Sequence, residues 1–220
     1  MSDTIQQEPK VEFEYVDHHN RPHTATEGYM FRGTRRGKKG PPPAYREDWG
    51  KDKRSPYNKG HNGHLIGTWW PYMICAMRDM AHPHLRQGIC VQEGRGAISI
   101  VINNGSKTGY ENVDNGDTIK YCGDGKTLLD SSMDNGMLIR VLRAADPHSD
   151  WAPQAGWRYD GLYRVVGKEK IPEKEGYWYT LERAGDQKPI SRFHPTPEKL
   201  AEYREYNRKS LSKKEGLSYM

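Results

Sequence analysis

The stretch Gly109-Tyr110-Glu111-Asn112-Val113-Asp114-Asn115-Gly116-Asp117 sets a phenol and an amide side chain in a turn just ahead of a predicted strand, Asp117–Cys122. A later stretch, Tyr159-Asp160-Gly161-Leu162-Tyr163-Arg164-Val165-Val166, again joins a turn to a run of β-formers. Aromatic faces on either side of a polar hydrogen-bonding group can hold a flat polar ring such as a nucleobase. No obvious catalytic centre stands elsewhere in the chain. The chemistry indicated is binding rather than turnover.

Other reactive-looking residues have plainer readings. His61-Asn62-Gly63-His64 has the letters of an HNH nuclease, but that motif spreads its ligands over a ββα unit, so a loop leading into the first strand is favoured. His18, His19 and His23 beside Asp17 lie where little would order a metal site. His82 and His84 bracket Pro83 and read as a rigid turn, with a phosphate contact the lesser alternative. Asp114, Asp117 and Asp124 are turn-formers rather than magnesium ligands, with Asp114 also a candidate brace for its loop. Arg140, Arg143 and Arg164 fall in or at the ends of predicted strands; outward-facing positions and phosphate contacts both stay open for them. No catalytic residue, cofactor or metal is expected.

Several elements must position these residues. At 220 residues the chain can bury one sizeable core and still carry tails. A hydrophobic fraction of 34% is low enough to expect disorder in part of it. A net charge of +5, with a pI near 9.0, favours an anionic partner. Cys75, Cys90 and Cys122 are widely spaced with no C-x-x-C pair, which argues against zinc and for a reducing compartment. No apolar run is long enough to cross a membrane and no secretory h-region opens the chain, so a soluble intracellular protein is expected.

Three regions are expected. Residues 1–58 read as a flexible basic arm, 59–209 as the folded domain and 210–220 as a fraying tail. Within the arm, Arg32, Arg35, Arg36, Lys38 and Lys39 precede the stiff run Pro41-Pro42-Pro43. They suit phosphate tracking or nuclear import, and a solvated linker equally. Strands are predicted at 70–75, 97–103, 117–122, 137–143, 161–167 and 177–183. Ile98, Ile100 and Ile102 should share one face; Trp178, Thr180 and Glu182 should oppose Tyr177, Tyr179 and Leu181. Thr196 as N-cap with Pro197 at N1 predicts a helix to about Arg208, its Tyr203 and Tyr206 packed on the domain. A second helix is predicted over 128–135.

Six blocks in order carry a family resemblance. They are Gly67-Thr68-Trp69-Trp70; His82-Pro83-His84 with Gly88-Ile89; the loop from Gly109 to Asp117; Tyr121-Cys122-Gly123-Asp124-Gly125; Ile139-Arg140-Val141-Leu142-Arg143; and the Tyr159 to Val166 stretch. Over roughly 63–183 the chain resembles the SRA (SET- and RING-associated) domain, also called YDG after the tripeptide that is Tyr159-Asp160-Gly161 here. The resemblance implies an α+β, mostly β fold, an SRA-like (PUA-like) curved β-barrel flanked by helices.

It also implies binding to double-stranded DNA carrying 5-methylcytosine, with the base flipped into a pocket. Tyr110 and Tyr121 match the pocket aromatics, with Asn112, Asp114 and Cys122 beside them. The family usually has aspartate at the place of Asn112 and often threonine at that of Cys122. Asparagine can still accept from cytosine N4 while donating to N3 or O2. The first DNA-invading loop matches Leu85-Arg86-Gln87-Gly88, with Arg86 or Gln87 near its tip. The second lies between Gly125 and Gly136, with Lys126 as a contact and no Asn-Lys-Arg, so no discrimination of hemimethylated from fully methylated CpG is expected. The expected role is a nuclear epigenetic reader without catalysis, any chromatin-modifying protein acting in trans. A modification-dependent endonuclease, or a chromatin adaptor without methyl selectivity, are the alternatives.

Overall fold

A computed structural model describes residues 12–16, 22–26, 30, 34–35, 44–45, 54–103, 112–123, 128–172 and 175–215. They belong to two units, Met1–Gly50 and Lys51–Met220. In the first, β1 (Glu12–Val16) pairs antiparallel with β2 (Pro22–Thr26), and β3 (Thr34–Arg35) with β4 (Ala44–Tyr45). The region expected to be a flexible arm therefore contains paired strands. The signal was there: Glu12-Phe13-Glu14-Tyr15-Val16 alternates polar with apolar.

The second unit is built on one mixed sheet. Its strands are β5 (Trp69–Trp70), β6 (Ile89–Gln92), β7 (Gly96–Ile102), β8 (Val113–Asp114), β9 (Thr118–Gly123), β10 (Leu138–Ala144), β11 (Trp157–Lys170) and β12 (Tyr177–Arg183). The order is β6-β7-β10-β11-β12-β9-β8, and β5 pairs with β11 off that path. Among the described residues β7 with β10 is the parallel pair; the other neighbours are antiparallel. Among the described residues the path ends at β6 and β8 without closing. The mostly β fold with accompanying helices stands, and among the described residues its sheet is not closed into a full barrel.

Among the described residues three helices accompany it: α1 (Met73–Arg78), α2 (Asp130–Asp134) and α3 (Pro197–Glu215). The strand expected over 70–75 is thereby corrected. Pro71 has no N–H to continue a ladder, and the Met-, Ala- and Arg-containing run after it winds into α1 instead. Thr196 Oγ1 accepts from the Lys199 N–H at 3.4 Å, as an N-cap should. α3 then continues past Arg208 to Glu215. Tyr203 meets Trp69 edge-on at 6.0 Å and Tyr72 at 5.7 Å, and Tyr206 lies 6.2 Å from Tyr72, so the helix does pack on the sheet.

The main core gathers Ala97, Ile100, Ile102, Ile119, Tyr121, Leu129, Ile139, Val141, Tyr163, Val165, Tyr179 and Leu181. On β12 the expected alternation holds, with Tyr179 and Leu181 inward. On β7 it breaks. Cys90 pairs with Ser99 but Val91 with Ala97, leaving Ile98 as a bulge residue. That extra residue shifts the phase of the strand, so Ala97 rather than Ile98 joins Ile100 and Ile102 in this cluster.

Candidate functional site

β8 and β9 frame the loop that the sequence singled out. Their ladder pairs Val113 with Lys120 and Asp114 with Ile119. Where the backbone leaves that ladder, the Asn112 side chain takes over. Its Oδ1 accepts from the Cys122 N–H at 2.8 Å, and its Nδ2 donates to the Asn103 carbonyl at 3.0 Å. The amide thus joins β9 to the end of β7. Its orientation is fixed, because one partner only donates and the other only accepts.

Asp114 faces inward to a buried ion network. Its Oδ2 lies 2.8 Å from Arg143 Nε and accepts from Ser149 Oγ at 2.8 Å. Its Oδ1 accepts from Arg143 Nη2 at 2.9 Å and from the Gly116 N–H at 3.1 Å. Arg143 also donates to Asp160 and to the Gly116 carbonyl, while Arg158 Nη2 donates to Asp160 Oδ2 at 2.9 Å. Tyr163 donates its hydroxyl to the same Gly116 carbonyl at 2.8 Å. Arg143, Arg158 and Asp160 are buried. Burial opposes the Arg143 charge, but Asp160, Tyr163 and Asp114 outweigh it and raise its pKa. The turn at Gly116 is pressed against Trp151: a Cβ there would sit 2.5 Å from the indole, and φ is +75°.

The Tyr159-Asp160-Gly161 tripeptide is part of this framework. Asp160 is the extra residue of a β11 bulge, since Val141 pairs with Gly161 and Leu142 with Tyr159. Gly161, at φ +108°, leaves room for Gln187, whose amide accepts from the Leu162 N–H and donates to the Leu162 carbonyl, both at 2.8 Å. Tyr159 packs edge-on to His61 and bonds its Nδ1 at 2.8 Å.

Tyr121 lies on the core side of β9 and is 7% exposed. Its hydroxyl occupies the space over Gly88, where a Cβ would stand only 2.9 Å away. Gly88 closes the loop Leu85-Arg86-Gln87 and accepts from the Val101 N–H at 2.7 Å. The loop's other anchor is His82. Its Nε2 bonds the Gln87 carbonyl and its Nδ1 the Ser99 hydroxyl, each at 2.8 Å. A carbonyl only accepts, so Nε2 carries the proton and Nδ1 accepts from Ser99. Leu85 is half exposed and Arg86 and Gln87 are exposed at the tip.

Burial, against the bond to Gln87, takes the His82 pKa from 6.5 down to about 4. The unfolded chain therefore binds this proton more readily than the folded one between those values, and stability rises with pH there. The contribution is complete above pH 6.5 and disappears as pH falls toward 4. It amounts to about 3 kcal/mol. Urea midpoints at pH 7 and pH 4.5 should differ accordingly, and the His82→Gln variant should give a flatter profile. An unchanged profile in that variant would show the imidazole to be silent.

Asn112 just ahead of β8, Asp114 on it, and Tyr121 and Cys122 on β9 are thus brought near one another, while Arg86, Gln87 and Gly88 lie on a loop held to Tyr121 from the β6 side. Tyr110, Lys126, Arg32, Arg36, Lys38, Lys39, His18, His19 and Asp124 lie outside the described residues, and of Arg35 the strand position alone is described. Outward-facing positions for Arg140 and Arg143 are corrected. Arg140 is buried, donating to the carbonyls of Pro56, Asn58, Gly60 and Ala81. Its guanidinium ties the segment holding His61 to β10. Arg164 is exposed. The sequence reading missed the roles of His82, Ser149 and Gln187. Two arginines inside the apolar run Ile139–Arg143 were the available sign of buried partners. Among the described residues, no group of three or more His, Cys, Asp or Glu could hold a metal ion, and no helix is long and apolar enough to cross a membrane.

The family model described as SAD/SRA domain matches residues 58–187. The chain is 27% identical over 166 residues to the E3 ubiquitin-protein ligase UHRF1 of Xenopus laevis, covering 56% of this chain and 21% of that one. It is 32% identical over 122 residues to the E3 ubiquitin-protein ligase ORTHRUS-LIKE 1 of Arabidopsis thaliana, covering 48% and 25%. The chain thus spans about a fifth to a quarter of these relatives' length. Among solved structures, a modification-dependent TagI restriction endonuclease is similar at 26% identity and a TM-score of 0.52, with 60% of this chain and 54% of that one covered. SUVH5 SRA bound to fully hydroxymethylated CG DNA shares the fold at 22% identity and a TM-score of 0.50, with 61% and 99% covered.

Proposed function

Because the chain belongs to the SAD/SRA domain family, we propose that it is a reader of modified cytosine in double-stranded DNA, taking the flipped base into a pocket beside Tyr121. The observation that carries this reading is the span of the family match. Residues 58–187 take in every strand of the large sheet, including the β8–β9 frame and the His82–Gly88 loop. Unstacking a base costs a few kcal/mol, and stacking on an aromatic face returns about 1–3 kcal/mol per base. Tyr121 supplies one such face and Tyr110 the second, with Asn112 and Cys122 at the base edge and Asp114 bracing the loop. Arg86 and Gln87 enter the duplex, Lys126 adds a contact, and the Arg32, Arg35, Arg36, Lys38 and Lys39 cluster neutralises phosphates. The reader acts in the nucleus without catalysis of its own, serving chromatin-modifying proteins in trans. Residues 1–58 form the arm, 59–209 the DNA-binding domain and 210–220 the tail.

Titration of otherwise identical duplexes carrying no, one or both 5-methylcytosines at a central CpG tests this. Both methylated duplexes should bind at least about tenfold tighter than the plain one, and nearly equally to each other. Affinity for all three should fall steeply with salt as counterions are released. Equal affinity for methylated and plain DNA would refute the reader. The likeness to the TagI endonuclease favours a second reading, cleavage of modified DNA. Nicking of a methylated plasmid in magnesium would decide for it.

A further inference from the structure

We infer that His82 is a positioning residue for recognition of modified DNA: by holding the Gln87 carbonyl it presets the Leu85-Arg86-Gln87 tip for entry into the duplex. The inference rests on the reader function proposed above, in which Arg86 and Gln87 enter the DNA. Those tip residues are exposed, whereas His82 is buried beneath them. Among the described residues, the 2.8 Å bond from His82 Nε2 to the Gln87 carbonyl is the one hydrogen bond that residues 83–87 make. It closes the base of the loop, from the residue before Pro83 to the residue before Gly88. Gly88 is held in turn by the Val101 N–H and lies under the Tyr121 hydroxyl. The bond therefore sits one residue from the ring assigned to stack on the base.

A row of buried side chains fixes the donor. Ser99 Oγ lies 2.8 Å from His82 Nδ1 and is also hydrogen-bonded to the Cys90 thiol. The carbonyl admits only a donor at Nε2, so Nδ1 of the neutral ring takes the Ser99 proton. The Cys90 S–H is then left to donate to Ser99 Oγ. Cys90, Ser99 and His82 are each 0% exposed, so the row is shielded from solvent. The loop has little else to hold its shape: Pro83 fixes one φ, and His84 meets the His82 ring edge-on at 5.8 Å. A tip ordered before binding gives up less conformational freedom when it enters a duplex, and affinity rises by that difference. An apolar residue at position 82 would fill the same space and leave the tip unset.

Three variants separate this role from a purely structural one. His82→Asn places an amide at the level of Nδ1, which reaches Ser99 but falls short of Gln87. His82→Gln carries its N–H as far as Nε2 and keeps the bond to the loop. Ser99→Ala removes the ring's other bond and leaves the one to Gln87. His82→Asn should lower affinity for methylated duplex about tenfold or more and leave plain-duplex affinity within about twofold. His82→Gln should recover most of that loss, and Ser99→Ala should keep wild-type selectivity even where its melting temperature falls. With Arg86→Ala and Gln87→Ala already in place, His82→Asn should cost nothing further, because it acts through that tip. One readout needs no DNA: tryptic cleavage after Arg86 should accelerate in His82→Asn and stay slow in the other two. Undiminished selectivity in His82→Asn, equal losses in His82→Asn and Ser99→Ala, or full additivity with the tip substitutions overturns the positioning role alone. A wild-type protein with no methyl preference removes the reader function and this role with it.

Discussion

Replacing Tyr121 by leucine should lower affinity for methylated duplex about 5- to 150-fold, the range set by stacking one base on an aromatic ring, and leave plain-duplex affinity within about twofold. Leucine is the informative choice. Tyr121 is 7% exposed and belongs to the main core, so alanine would also open a cavity costing roughly 3–5 kcal/mol and confuse binding with folding. Tyr121→Phe keeps the ring and loses the hydroxyl that fills the space over Gly88. It should retain most methyl selectivity. Gly88→Ala attacks the same contact from the loop side, where a Cβ would come within 2.9 Å of that oxygen and displace either the ring or the loop. Electrophoretic or anisotropy titrations with matched duplexes check all three. A leucine variant as selective as the wild type would show that the base does not stack on this ring.

How much of this was legible in the sequence depends on the reach of each interaction. The β12 alternation, the Thr196 cap and the strand around Ile119 are local, and periodicity or turn chemistry fixes them within a few residues. The β7 face was misassigned because a bulge is a property of the pair: Ile98 is displaced by its register with Cys90 and Val91, which no reading of β7 alone supplies. At the site, Tyr121 and Asn112 stood out by type. The two backbone partners of Asn112 lie on β9 and just past the end of β7, ten residues after it and nine before, so its engagement was not readable. The same holds for Asp114, whose partners Arg143 and Ser149 lie far along the chain. Tyr159-Asp160-Gly161 was conspicuous as a motif, yet its burial gives it a framework role that motif matching does not distinguish from contact with a ligand.

That framework role makes Asp160→Asn the substitution with the largest expected effect on stability. The carboxylate is fully buried between Arg143 and Arg158, themselves 1% and 0% exposed. The amide that replaces it keeps the shape but removes the charge and turns N–H groups toward guanidinium donors. Arg143 retains Asp114, whereas Arg158 is left with the Trp151 carbonyl among its hydrogen-bond acceptors. Removing one member of a buried ion pair costs about 3–5 kcal/mol, because the surviving charge stays desolvated. For a domain of this size that lowers the melting temperature on the order of 10 °C. The double variant Asp160→Asn, Arg158→Met should be more stable than Asp160→Asn alone, since it withdraws the stranded cation, and the two effects should be clearly non-additive. Calorimetry on the single and double variants measures this. A melting temperature within about 2 °C of wild type for Asp160→Asn would mean that the network under the loop at Gly116 holds without its central charge.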